Sequence, residues 1–269
     1  MKARRQRGTE AQRAQGLCAL AALAIMATPA SAQSLAERVA AVDSGWAALE
    51  FAARPGVCGQ GNNIMTFSGG GPNEFWESGC DAGPVRVLLT VREARVTALQ
   101  TYVGGRWRAD PRLTNLGRVP ATSAADYLLG LIETQDDEVA KRAILPARLA
   151  DSVDVWPRLV RLARDRERPS EVRKSVIFWL AHEAGERVAR SLQTFVDDAG
   201  EDREVRKSAI YAISRLRDGQ AVPRLMRIAR EHPDPHMRKQ ALFWLGRSED
   251  PRALALIEEL LMGSAARRP

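Results

Sequence analysis

Lysine is used sparingly in this chain. After Lys2 there are four, Lys141, Lys174, Lys207 and Lys239, against more than thirty arginines. They stand 33, 33 and 32 residues apart. An ammonium on a flexible stem is a compact, strongly hydrated charge, suited to loose contact with carboxylates. The four are therefore candidate partner-binding residues, either a basic track for an acidic protein segment or the residue of a duplicated unit kept on a solvated face. An arginine precedes three of them, Arg173, Arg206 and Arg238. Covalent chemistry finds less material. His182, His232 and His236 are the only histidines, and the last two flank Pro233-Asp234-Pro235, so they sit in a turn and not on one helix face. Two histidines and an aspartate lack a secure third metal ligand. There is no Gly-x-Ser-x-Gly nucleophile turn and no phosphate-loop lysine. Catalytic residues, metal and cofactor are all expected to be absent.

The lysines belong to a longer unit. Val172-Arg173-Lys174-Ser175-Val176-Ile177-Phe178-Trp179-Leu180 returns as Val205 to Ile213 and as Met237 to Leu245, with a fainter copy at Val139 to Ala147. A fixed period of this size marks a solenoid of stacked helical pairs. The paired segments are 154–166 with 171–182, 186–198 with 203–216 and 220–231 with 236–246, and a last helix spans 251–262. Ser123, with Asp126 three residues on, can cap a first helix over Ala124–Ile132. Pro146 lies inside the second helix and predicts a kink or an early end there. At about 100° per residue, Val172, Val176, Trp179 and Leu180 share the face that packs on the outer helix. Ile177 and Phe178 flank it. Phe178, Tyr211 and Phe243 then either pack on the neighbouring repeat, which stacked units need, or form an exposed aromatic strip for sugars or peptide. Lys174 points farthest from the core, so the lysine column is expected on the inner, concave surface.

These features resemble HEAT-like repeats, including the short kind first described in phycobilin lyases. The matching marks are Val-Pro-x-Leu in the outer helix, an acidic turn, and Val-Arg-x-x-Ala in the inner helix. The resemblance covers residues 122–263. It implies an α-solenoid that serves as a scaffold or binding surface. It also implies that Arg173, Arg206 and Arg238 pair with the acidic turns, which hold Asp136-Asp137, Glu171, Glu201-Asp202 and Asp234, and lock the repeats together.

The N-terminal half reads differently. Residues 1–32 have the form of a secretory signal: a basic start, an apolar run from Leu17 to Met26, and Ala30-Ser31-Ala32 as a cleavage site. Lys2, Arg4, Arg5, Arg7 and Arg13 against Glu10 carry much of the formal charge of +7. The remainder is too balanced to argue for nucleic acid, and no later segment suits stable membrane insertion. The chain is expected in the periplasm or outside the cell. There Cys58 and Cys80, the cysteines left after the signal, form a disulfide. Val85, Val87, Leu89 and Val91 alternate, Arg92-Glu93-Ala94 turns, and Arg95 to Val103 returns, which predicts a hairpin. The expected organisation is α+β: a small disulfide-stapled antiparallel β domain over 33–110, a linker over 111–121, the α-solenoid over 122–263 and a disordered tail over 264–269. The function expected is that of an exported, non-enzymatic binding or scaffold protein with a protein partner. The alternatives are a regulator or inhibitor of an envelope enzyme, and a lyase-like enzyme with a polar pocket around Arg54, Trp107 and Asp126 at the junction of sheet and repeats.

Overall fold

The computed structural model describes residues 33–66, 80–108, 110–135, 138–181, 186–216 and 219–265. The expected signal, the Gly69-Gly70-Gly71 run, Asp136-Asp137, His182 and residues 266–269 lie outside these. A first helix, α1 (Leu35–Ala40), starts at Ser34, whose hydroxyl accepts from the Glu37 N–H while the Glu37 carboxylate accepts from the Ser34 N–H. Both ends of that exchange satisfy backbone donors that have no partner within the helix.

Among the described residues seven strands follow: β1 (Gly45–Phe51), β2 (Val57–Gly61), β3 (Asn63–Thr66), β4 (Asp81–Ala82), β5 (Val85–Arg92), β6 (Arg95–Gly104) and β7 (Leu113–Arg118). They make one sheet in the order β3-β2-β6-β5-β1-β7, with β4 pairing β2. The alternation of β5 has the expected consequence, because Val85, Val87, Leu89 and Val91 are fully buried. Ala47, Leu49 and Phe51 of β1 are buried in the same alternation. The β5–β6 hairpin closes through Glu93 and Ala94, both with positive φ (51° and 57°). That geometry fits the twist of the flanking strands, although neither residue favours it. Two bonds hold it: Ala94 N–H to the Asp43 carbonyl (2.8 Å) and Glu93 N–H to the Ser44 hydroxyl (3.2 Å). At the far end of β6, Gly104 has φ +58°, and a Cβ there would meet the Gly59 carbonyl oxygen at 2.5 Å. Only glycine lets β2, β4 and β6 approach so closely. Cys58 and Cys80 are disulfide-bonded beside this point, with Cα atoms 5.2 Å apart.

Three expectations need correction. The sheet is mixed, not purely antiparallel, because β7 runs parallel to β1. Residues 113–118, expected in a linker, are this strand. The first helix of the array, α2 (Ala121–Thr134), begins at Pro120 without a side-chain cap, so Ser123 lies inside it. Pro φ is already suited to a helix start, and the first-turn N–H groups have no intrahelical bond to lose. The second helix, α3 (Glu138–Leu149), continues through Pro146 to Leu149 and does not end early.

The rest of the array alternates outer and inner helices. The outer ones are α4 (Trp156–Arg164), α6 (Glu186–Asp197) and α8 (Ala221–Glu231); the inner ones are α5 (Ser170–Leu180), α7 (Arg203–Ser214) and α9 (Pro235–Leu245). The last helix, α10, spans Pro251–Ala265. One hydrophobic core runs from Leu35 in α1 to Leu256 in α10. Sheet and array are further joined by backbone, since Arg54 N–H donates to the Leu149 carbonyl (2.8 Å) and Asp151 N–H to that of Ala52 (3.0 Å). Among the described residues no helix is long and apolar enough to cross a membrane.

Candidate functional site on the inner helices

The inner helices repeat one arrangement, and each type of side chain in it has a different task. Arg173 is buried and does two things. Its Nε donates to the Ala163 carbonyl of the preceding outer helix (2.8 Å), and its fork closes on the Glu201 carboxylate of the next turn, with Nη1 2.9 Å from Oε1 and Nη2 on Oε2. Arg206 repeats this one unit on: Nε to the Val196 carbonyl (3.0 Å) and Nη1 to Asp234 (3.0 Å). A planar fork that satisfies a carbonyl and a carboxylate at once holds an outer helix, an inner helix and the following turn in register. Among the described residues Arg238 meets no acid of this kind; its Nη1 donates to the carbonyls of His232 (2.7 Å) and Pro233 (3.0 Å). The first junction reverses the scheme. Ala140 stands where the other units have arginine, and Arg168 occupies the turn position of Glu201 and Asp234. Arg168 reaches back to the Gln135 carbonyl (3.0 Å). Sequence reasoning missed Arg168, although its place 28 residues after Ala140 matches the spacing of Arg173 to Glu201.

The last lock has a pH dependence. The His236 backbone N–H, and then the charge of Arg206, hold the Asp234 carboxyl below the usual carboxylate range. A depressed folded-state pKa gives stability that is complete above the unfolded value and lost as pH falls through the folded one. Asp234→Asn should therefore lose less stability on acidification than the parent, seen as a flatter acid limb in thermal midpoint against pH. An equally steep limb would assign acid sensitivity to other carboxylates.

The lysines do not form a bare row. Lys141 pairs with Glu138 (2.6 Å), Lys174 with Glu171 (2.5 Å) and Lys207 with Glu204 (3.1 Å), each three residues earlier on its own helix. Lys239 is exposed and has His236 in that place.

The aromatic positions combine packing on the neighbouring repeat with exposure. Phe178 and Phe243 are 37% and 52% exposed. The rings also touch each other from one repeat to the next. Trp179 meets Phe178 edge-on (5.2 Å), Phe178 stacks on Tyr211 (6.0 Å, 6° between planes), Tyr211 meets Trp244 (5.1 Å), and Trp244 meets Phe243 edge-on (5.0 Å). Trp179 and Trp244 are partly buried, packing on the core with one part and joining this ladder with the other. Arginines lie over both ends, Arg148 above Trp179 (5.1 Å) and Arg247 above Phe243 (5.8 Å). Phe178 escapes burial for a simple reason. Val172, Val176, Ile177 and Leu180 already hold the buried aliphatic places on the helix, and Phe178 lies on the Lys174 side of them.

At its first end the ladder opens into a cleft of about 810 Å³ between the sheet and helices α3 and α5. Gln100 and Tyr102 of β6 form one wall, and Lys141, Lys174, Phe178 and Trp179 the other. Its charged groups pair along their own helices. Arg54, Trp107 and Asp126 each have a partner of their own. Arg54 donates to the Arg148 carbonyl (3.2 Å), Trp107 packs on Tyr102 (5.7 Å) and Asp126 pairs with Arg158 (3.0 Å). His232 is buried, and its Nδ1 accepts from the Asp234 N–H (3.0 Å), which commits it to the turn. Among the described residues no three His, Cys, Asp or Glu side chains gather as metal ligands.

Residues 193–268 match the family model for HEAT repeats. This part of the array is built of HEAT-like repeats. The matched span begins within α6 and takes in α7 to α10, and the Arg-carboxylate lock inside it recurs one unit earlier at Arg173. Such repeats generally mediate protein–protein interaction, which fits a scaffold role. Comparison with the curated proteins gives no match.

Proposed function

We propose that this is an exported, non-enzymatic binding protein that holds an acidic segment of a protein partner along its inner-helix face. The aromatic ladder carries this reading. Five rings from three successive helices lie in contact and partly open to solvent. Exposed apolar surface of this continuity marks an interaction site, and aromatic residues are enriched where binding energy concentrates. The lysines one helical turn before Phe178, Tyr211 and Phe243 favour carboxylates in the same segment. Charged groups of the cleft pair along their helices rather than converging on one point, which suits binding better than catalysis. Export is supported by the sequence of residues 1–32 and by the Cys58–Cys80 bond, which persists in an oxidising compartment.

The test is cross-linking from envelope extracts with the parent protein and a Phe178→Ala/Tyr211→Ala variant, read by mass spectrometry. Each ring is expected to contribute at least about 1 kcal/mol, so capture of the partner should fall roughly tenfold or more. The thermal midpoint should stay within a few degrees, because neither ring is buried in the repeat core. A partner captured equally by both proteins would overturn the reading.

A further inference from the structure

We propose that the segment held on this face is an extended, proline-bearing acidic peptide, anchored at the last inner helix by Lys239 and Phe243; this rests on the inner-face reading above. The face is periodic. Lys174 and Phe178, Lys207 and Tyr211, and Lys239 and Phe243 are each four residues apart, so in each unit an ammonium and a ring share one helix surface. A ligand matched to it alternates carboxylates with flat apolar groups.

The units are not equivalent, and the difference locates the anchor. Lys174 and Lys207 each carry a glutamate partner at 2.5 and 3.1 Å. A carboxylate arriving there must displace a neighbour that is already in place. His236 stands in the corresponding place before Lys239, and among the described residues no carboxylate lies within ion-pair distance of Lys239. Phe243 beside it is the most exposed ring of the ladder, and Arg247 lies over that ring. Uncompensated positive charge and open aromatic surface coincide at α9. Charge complementarity therefore directs an acidic residue to Lys239 first, with the Glu-paired lysines adding weaker contacts.

Proline is favoured by the shape of the ladder. Rings donated by separate helices form a strip rather than a single deep pocket, which fits an extended chain. A polyproline II segment is already extended and loses little entropy on docking, and aromatic-lined grooves accept its proline faces. With three residues per turn, prolines at every third position share one face, leaving the positions between them for carboxylates.

The experiment uses the full chain and a fluorescein-labelled (Pro-Glu-Glu)5 peptide, followed by anisotropy. Comparison probes are (Ser-Glu-Glu)5, (Pro-Lys-Lys)5 and an oligogalacturonate. The proline–glutamate peptide should bind, weaken with added salt, and exceed the serine and lysine peptides by about tenfold. Lys239→Ala should lower its affinity about fivefold, the upper range for an exposed ion pair, and Lys207→Ala by less than about twofold. Phe243→Ala should cost about fivefold or more. Circular dichroism confirms that each variant is folded. Equal binding of the serine peptide would overturn the role of proline, and equal effects of the two lysine variants would overturn the anchor. Tighter binding of the oligogalacturonate would replace the peptide by an acidic glycan. If the proline–glutamate peptide does not bind while partner capture still depends on Phe178 and Tyr211, this inference fails and the inner-face reading stands.

Discussion

Arg173→Ala is expected to lower stability by about 3–5 kcal/mol, the range found when one member of a buried ion pair is removed. The Arg173 and Glu201 side chains are each only 4% exposed. Without the guanidinium, Glu201 keeps one bond from the Asp202 N–H (2.7 Å) but no countercharge, and water cannot reach it readily. The Ala163 carbonyl also loses its donor at the end of α4. Arg206→Ala should cost less, because the Asp234 side chain is 23% exposed and its carboxylate can be hydrated. Lys174→Ala should be nearly neutral, since its partner Glu171 is 69% exposed and such pairs contribute only a few tenths of a kcal/mol. The double change Arg173→Leu/Glu201→Leu should recover most of the loss, because it removes both buried charges together. Urea titration of the four variants checks the ranking. An Arg173→Ala loss below about 1 kcal/mol would mean that the lock is solvated in solution.

The parts of this fold that were legible in the sequence are those governed by local periodicity. The 33-residue spacing gives the helical pairs, and the alternation of Val85, Val87, Leu89 and Val91 gives a strand. What escaped was decided by partners far away in the chain. The strand β7 has only Leu116 buried, so it shows no alternation, and its parallel partners in β1 lie 67 or 68 residues earlier. Periodicity left the surroundings of Phe178 and Phe243 open, because an aromatic residue at a helix flank fits either packing or exposure until its neighbours are placed. The neutralised lysines were legible and overlooked. Glu138, Glu171 and Glu204 each stand three residues before a lysine, a spacing that brings both side chains to one face. That pattern fails only before Lys239, on the helix where the ladder ends at Phe243.

Removing the disulfide is expected to be the second large perturbation, and it tests whether sheet and array are one cooperative body. Cys58 and Cys80 are 22 residues apart. Constraining a loop of that length in the unfolded chain stabilises the folded state by roughly 3 kcal/mol. The bond joins β2 to the segment entering β4, beside the close approach at Gly104, where packing depends on backbone contact more than on side-chain volume. Cys58→Ala/Cys80→Ala should therefore lower the thermal midpoint by about 6–12 °C for a chain of this size. The hydrophobic core continues from the sheet into α2 and α3, and the backbone of Arg54 and Asp151 ties the two together. Loss of the bond should consequently move one transition that includes the helical signal. Circular dichroism at 222 nm, followed with and without reductant, reads this directly. Two separated transitions, with the helical one unmoved, would show that the array folds without the sheet. In that case the cleft between β6 and the inner helices would depend on a junction that opens independently of the repeats.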